Sequence, residues 1–560
     1  MRRKLPFTLL FFLLLQNTTA QEFITTWRTI NNQTSFSFDV TTIGTVSYNW
    51  ETLPPAAPAS GSGTFQGPVV TISGLPANVD FRLEIEPQNF KRFTRGSQGA
   101  FAFSLQEVNQ WGDVAWESFE NAFFNTSQAQ NCILQVTATD ISDLTNVSSM
   151  NNMFTDCILL NSPFNLNFWD ISNVTDLSGM FKGCNNFNQA LSQWNTSNVT
   201  DMSSMFEDAL SFNQNIGTWN TSSVTDMSKM FKGASSFNNN IGNWDTSNVT
   251  NMSEMFNNNP NASFESQFNI NISSWNTSNV TDMSGMFKGA KSFNQAIGNW
   301  DTFNVTNMAE MFNTATSFNQ NIGNWNTSNV TDMSQMFFNI LNGLNDDILS
   351  FNNGGSPSIE SWNTSNVVNF SNMFSRAENF NHDLGNWSLV QAQDLTGMLD
   401  ESGLECNKYS STLIEWNNNI LTPDNLLLGA SLLKYTSDAL PAINNLLFNK
   451  GWAISGHDVV STIPEFNIDT IYCEGEPTTN FPNVSNDGIS GTWFPEFDPN
   501  QTTTYTFFPN SDCALTTGIT ITVLDGIDTP VGNSQQTVSQ GATLDDLIVT
   551  PSNVFWYNTL

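Results

Sequence analysis

The chain has 560 residues and a formal net charge of −34, yet only 12% of its residues are charged. So acidic a chain repels nucleic-acid phosphates and anionic lipid, and its length allows three or four domains of roughly 150 residues. Its 46 Phe and 17 Trp exclude a disordered tract despite the abundance of Asn, Ser and Thr.

The first segment, "MRRKLPFTLLFFLLLQNTTAQ", starts basic, runs apolar from Leu5 to Leu15 and ends in small polar residues at Ala20. It predicts a secretory signal peptide over 1–20, too short to cross a bilayer. Nothing later offers about 20 uninterrupted apolar residues, so no transmembrane segment is expected in the mature chain. Residues 22–104 alternate apolar and polar in "SFSFDV", "VVTISGL" and "FRLEIEP", with Pro/Gly-rich connections. They predict an N-terminal β-rich domain.

From 105 to 400 one phrase recurs. It reads "WNTSNVTDMSSMF" at Trp194–Phe206, "WNTSSVTDMSKMF" at Trp219–Phe231 and "WDTSNVTNMSEMF" at Trp244–Phe256. Tryptophans stand at 169, 194, 219, 244, 275, 300, 325, 362 and 387, a period of 25 broken by two insertions. The first is "NNNPNASFESQ" after Phe256; the second is "FNILNGLNDDILS" after Phe337, with an extra "GGSPS" before Trp362. A fixed period of this size predicts a solenoid of about ten coils. Within one unit Val199, Met202, Met205, Phe206 and Ala209 fall at three- and four-residue steps, which predicts a short helix, or one or two tight turns, over 200–209. Thr200 and Asp201 would favour its N-terminus. Phe212, Gln214 and Ile216 alternate and predict a short strand leading to Trp219. The expected class is an α+β repeat solenoid, leucine-rich-repeat-like, with a parallel strand and a short helix per coil, flanked by all-β domains. A lone coil buries too few apolar side chains to offset the entropy of ordering 25 residues, so the phrase must recur. Trp194, Trp219, Trp244, Trp300 and Trp325, with Met202, Met205, Phe206 and Phe212, are the expected structural repeat positions. The tryptophan register would equally serve as a strip for stacking on sugar rings.

"WGDVAWESFENAFFNTSQ" (Trp111–Gln128), "ATDISDLTNVSSMNNMF" (Ala138–Phe154) and the recurrent phrase resemble BspA-family leucine-rich-repeat surface proteins; the repeat is also similar to that of mycoplasma surface lipoproteins. The resemblance covers about 105–457. "ECNKYSSTLIEW", "LLLGASLLKY" and "NKGWAISGHD" resemble the family's C-terminal cap, placed here at 401–460. The family pattern puts a second cysteine after the tyrosine of that cap, whereas Thr436 follows Tyr435 in this chain. The resemblance implies a secreted or surface-displayed, non-enzymatic, often adhesive protein. Residues 461–526 read as a β-sandwich that resembles the Ig-like repeats of bacterial exoproteins, and 527–560 as the truncated start of a second such module.

Candidate chemistry is sparse. His382 and His457 are the two histidines; they supply no nucleophile, base and orienter set. A carboxylate pair, which leaves no motif, stays open, but no catalytic residue and no cofactor is expected. His382 stands in the slot of Gln214 and Gln320 and reads as a polar substitution. Asp176, Asp201, Asp226, Asp282, Asp332 and Asp394 share one slot. A column of acids suits calcium, but Asn251, Asn307 and Asn369 interrupt it, so stabilisation of helix N-termini is the expected role and no metal is predicted. Among the cysteines, Cys473 and Cys513 bracket the Ig-like module and are disulfide candidates. Cys157 and Cys184, at equivalent places in adjacent coils, are a second candidate pair. Cys132 and Cys406 have no evident mates.

The expected role is a secreted or bacterial cell-surface adhesin or ligand-binding scaffold whose partner is an extracellular protein or glycan. A targeting or spacer region of a larger exoenzyme, or an architectural matrix protein, are the alternatives. The two insertions are the expected binding loops, because interruptions of a repeat map to one face.

Overall fold

The computed structural model describes residues 20–30, 32–95, 105–124, 134–161, 165–259, 264–340, 347–459, 462–473, 481–510, 513–524 and short pieces between 531 and 550. The expected signal peptide, Cys132 and most of the expected second module lie outside the described residues. Two compact units are present. The first comprises Met1–Leu404, Ser411–Leu433 and Pro441–His457, and the second Glu405–Ser410, Lys434–Leu440 and Asp458–Leu560.

The first unit begins with β1 (Phe23–Arg28), β2 (Ser35–Thr42), β3 (Val46–Thr52), β4 (Ser60–Phe65), β5 (Val69–Ser73), β6 (Asp80–Ile85), β7 (Phe90–Thr94) and β8 (Leu105–Gln110). Alternation along β1, β2 and β6 buries every second side chain, as a half-buried strand requires. One sheet runs β4-β3-β6-β1-β8 and a second runs β5-β2-β7. They meet through rings: Trp27 packs on Phe36 with centroids 4.5 Å apart, and Phe36 on Phe81 at 5.4 Å. β8 then pairs in parallel with β9 (Gln135–Val136), which carries the sheet edge into the repeats.

The α+β leucine-rich-repeat solenoid expected from the sequence is overturned. Among the described residues both α-helices lie outside the repeats: α1 (Cys406–Asn418) and α2 (Leu440–Phe448). The repeats carry turns joined by isolated parallel bridges, such as Asp201 to Asp226 and Asp226 to Asn251.

Hydrogen bonding explains the absence of helix. Along 202–209 the N–H groups of Met202, Ser204, Phe206 and Asp208 donate to the carbonyls of Asp226, Ser228, Met230 and Lys232 in the next repeat, at 2.7–3.1 Å. The intervening N–H groups of Met205, Glu207 and Ala209 donate three residues back, to Met202, Ser204 and Phe206. An α-helix would send every N–H four residues back along its own axis. Of helix and tight turns, the two conformations the spacing allows, the segment adopts turns: Met202–Met205 and Phe206–Ala209 are successive β-turns whose end residues are buried. Ser204 and Asp208, the third residues of these turns, have φ of 55° and 57°. Repetition of the turn brings the same left-handed conformation to Lys229, Gly233, Glu254, Gly285 and Glu310.

The expected strand at 212–216 is also absent. Phe212 and Ile216 are buried, but the Asn213 N–H donates to the Asn188 Oδ1 of the preceding repeat rather than to a backbone carbonyl. The same bond joins Asn238 to Asn213 and Asn294 to Asn269. Side-chain amides thus replace the strand ladder.

Aromatic side chains fill the interior in register. Phe181, Phe206, Phe231, Phe256, Phe287, Phe312, Phe337 and Phe374 form one column with ring centroids 5.5–5.8 Å apart. A second column contains Phe187, Phe212, Phe237, Phe268, Phe293, Phe318, Phe351 and Phe380. Trp194, Trp219, Trp244, Trp300 and Trp325 are buried beside them, as are Met202 and Met205. Each indole Nε1 donates backward to a carbonyl of the preceding repeat: Trp219 to Leu191 at 3.0 Å, Trp244 to Ile216 at 3.1 Å, Trp325 to Ile297 at 3.0 Å. The rings are core, and among the described residues the repeat tryptophans form no exposed strip. The column ends in helix α1, where Trp416 Nε1 donates to the Leu384 carbonyl. β10 (Leu427–Gly429) bridges to Leu395 and pairs in parallel with a strand at Ala453–Ser455.

In the second unit, strands Ile471–Cys473, Thr517–Leu524, Thr503–Pro509 and Gly491–Phe494 form one mixed four-stranded sheet in that spatial order. Phe481, Trp493, Phe497, Tyr505 and Phe507 cluster against it.

Both expected disulfides need correction. Cys513 is bonded to Cys406, with Cα atoms 5.5 Å apart, and not to Cys473; the N-terminus of α1 and the turn after Thr503–Pro509 approach each other, which sequence separation conceals. Cys157 and Cys184 are not joined. Their Sγ atoms donate to the carbonyls of Phe123 (3.4 Å) and Phe154 (3.0 Å), each one repeat back. Equivalent side chains in an in-register stack point the same way, so neither sulfur turns toward the other.

Two predictions follow from this packing. Trp219→Phe keeps a ring in the column but removes one of the two donors to the Leu191 carbonyl, leaving the Trp194 N–H at 3.3 Å; denaturant unfolding is expected to show a loss of about 0.5–1.5 kcal/mol. Although Asp208 is exposed, partial desolvation of its carboxyl, reinforced by Glu207, pushes it above its ordinary range. A raised acid favours the folded state below its unfolded pKa and loses that contribution as pH rises through the folded value. Asp208→Asn is expected to raise the melting temperature at pH 7, with the gain vanishing by about pH 4.

Candidate binding surface

Both insertions leave the repeat at one place. Asn258 and Asn339 occupy the slot held by Asp208, Gly233, Gly289 and Thr314 in uninterrupted repeats. Both are buried, and each closes its own loop: Asn258 Nδ2 donates to the Phe264 carbonyl at 3.0 Å, and Asn339 Nδ2 to the Asp347 carbonyl at 2.8 Å. The chains re-enter through hydrogen bonds to the preceding repeat, Gln267 N to Ser235 O and Ser350 N to Thr316 O. The core is undisturbed. Phe256–Phe268 and Phe337–Phe351 stack at 3.8 Å, as Phe206–Phe212 does without an insertion.

Although some 80 residues apart in sequence, the two loops meet at one lysine. Lys291 Nζ lies 3.3 Å from Glu265 Oε1 in the first insertion and 3.0 Å from Asp347 Oδ2 in the second. The lysine side chain is only 13% exposed, whereas Glu265 and Asp347 are 60% and 45% exposed. Burial alone would depress the Lys291 ammonium, but hydrogen bonds and charge from Asp347 and Glu265 outweigh it and hold the group above the ordinary lysine range. Beside these carboxylates, Phe264 and Ile348 are 61% and 53% exposed. The second insertion's "GGSPS" forms 3-10 turns at Asn353–Gly355 and Pro357–Ser361.

Other ion pairs join turns of adjacent repeats. Lys182 reaches Glu207 at 2.8 Å, Lys229 and Lys232 reach Glu254, Lys288 reaches Glu310, and Arg376 reaches Glu401 at 3.3 Å. Such part-exposed pairs contribute little singly.

The acid column has a local structural role. Oδ1 of Asp201, Asp226, Asp282 and Asp332 accepts the N–H two residues on, at 2.7–2.8 Å. Asn251, Asn307 and Asn369 accept the same bond, so the interruptions preserve the turn. Asn251 Nδ2 also lies 3.2 Å from Asp226 Oδ2, placing a donor between stacked acids. These are Asx turns, replacing the expected helix caps. Among the described residues no cluster of three or more His, Cys, Asp or Glu is arranged to hold a metal ion. His382 Nε2 bonds the Asn352 carbonyl at 3.2 Å, as Gln214 Nε2 bonds that of Asn188 at 3.0 Å.

Three stretches of the chain, 148–267, 261–357 and 355–427, match the family described as Mycoplasma protein of unknown function, DUF285. Together they span 148–427, half of the 560 residues. The chain belongs to this family. The seams between the DUF285 matches fall at 261–267 and 355–357, on or beside the two breaks in the 25-residue period. No curated protein and no solved structure matches. The sequence singled out the two insertions but missed Lys291. Its signal was a cation where sister repeats of this DUF285 chain carry Asn185, Leu210, Ser235 and Thr316.

Because folded Lys291 titrates above its unfolded value, the tie is complete at neutral pH and is lost only as pH rises past the ordinary lysine range. Lys291→Met is expected to speed limited proteolysis within 257–267 and 338–350 at pH 7 several-fold, with an unchanged far-UV circular dichroism spectrum.

Proposed function

We propose that this protein is an exported, non-catalytic surface scaffold that binds an extracellular partner through its paired insertion loops, with the C-terminal β module as a spacer. One observation carries the reading: the two interruptions of the period are fastened together at Lys291 and present Phe264 and Ile348 to solvent. Loops held by a regular scaffold are where binding residues concentrate, and exposed large apolar side chains beside charges suit a contact surface. The resemblance to BspA-type surface proteins supports an adhesive role. Among the described residues no helix is long and apolar enough to cross a membrane, which agrees with display outside the cell.

The test is an array of extracellular-matrix proteins and glycans probed with the full chain and with a chain in which 258–266 and 339–349 are each replaced by a short Gly/Ser link. The intact chain is expected to give a saturable ligand, lost on replacement of both loops. Equal binding by the two chains removes the loops from the function, and no saturable ligand for either points to a passive architectural role.

A further inference from the structure

We propose that the surface formed by Glu265, Asp347, Phe264 and Ile348 takes a cationic protein segment, a lysine- or arginine-bearing stretch that also offers an apolar side chain. This inference rests on the binding role of the loops and specifies the partner's chemistry. Lys291 satisfies only the inner side of the two carboxylates: its Nζ meets one oxygen of each, while both acids remain far more exposed than the lysine itself. The site therefore carries two carboxylates against one half-buried ammonium and is net negative. Phe264 directly precedes Glu265 and Ile348 directly follows Asp347, so each acid is paired with an exposed apolar neighbour. An incoming ammonium or guanidinium finds acceptors at the same place where its aliphatic stem or an adjacent ring finds an apolar contact. The field of the whole chain, at −34, attracts the same class of partner and repels sulfated or phosphorylated ones.

The experiment uses the full chain and a labelled lysine-rich peptide carrying one phenylalanine, followed by fluorescence anisotropy. Glutamate-rich and serine-rich peptides of the same length and a neutral oligosaccharide mixture serve as comparisons. Four variants separate the causes. Glu265→Gln with Asp347→Asn, and Phe264→Ser with Ile348→Ser, are each expected to weaken the cationic peptide about tenfold. Asp170→Asn with Asp245→Asn makes the same change in net charge at turns where sister repeats already carry Asn195 and Asn220, and is expected to bind like the parent. Lys291→Met keeps both carboxylates but unfastens the loops, and is expected to weaken the peptide less than loss of the acids does. The inference is overturned if the cationic peptide does not bind, if the remote pair of substitutions weakens it equally, or if Lys291→Met weakens it as much as loss of the acids. Selective uptake of the neutral oligosaccharide by the loops also overturns it while leaving the binding role intact; loop-independent attachment in the array defeats the binding role itself.

Discussion

Everything in the repeat region depends on alternate backbone N–H groups reaching carbonyls one repeat away. Met202, Ser204, Phe206 and Asp208 make these bonds in one repeat, and Met227, Lys229, Phe231 and Gly233 make them in the next. Buried backbone groups must be paired, and here half of the pairing in the turn segment comes from outside the unit. No single repeat can satisfy itself. The arrangement also demands strict translation: when every unit has the same shape, the same donor meets the same acceptor, and rings of one kind fall over one another at a constant spacing. Near-identity of sequence is the price of that translation, and it accounts for a phrase that hardly varies among Trp194–Phe206, Trp219–Phe231 and Trp244–Phe256.

What could be read from the sequence was the interior. Period, insertions and buried positions all follow from which side chains are large and how often they return. The conformation between them could not be read in the same way. Met202, Met205, Phe206 and Ala209 fit one face of a helix, yet two turns ending in inward-facing residues give the same spacing, and the choice lies with bonds to a neighbour 25 residues away. Phe212 and Ile216 alternate as a strand would, but asparagine side chains took over the bonding that a strand would have made. The cysteines failed for the opposite reason. Cys157 and Cys184 looked close because they are equivalent, and equivalence is what holds their sulfurs parallel. Cys406 and Cys513, 107 residues apart, shared no pattern at all.

The candidate surface was half legible. An interruption of a period announces itself, so both insertions were evident; that Glu265 and Asp347 share one cation was not. Their common partner lies in a third segment, and the contact with Asp347 spans the Phe312 repeat that separates Lys291 from the second insertion. The local logic is nonetheless simple. In both loops a buried asparagine, Asn258 or Asn339, holds the returning backbone, and the paired phenylalanines below remain stacked. A loop can then change in length or composition while the core beneath it stays as it was.

That common exit slot makes the scaffold a graduated ruler. Anything grown from it sits at a whole number of steps from its neighbour, each step set by the phenylalanine spacing of 5.6–5.7 Å in this stretch. Duplicating the repeat that lies between Lys291 and the second loop would displace that loop by one graduation and carry Asp347 beyond the reach of Lys291. Separation between the grips is thus written in discrete increments, and the number of repeats between 257 and 338 is as much a part of the binding specification as the loops themselves.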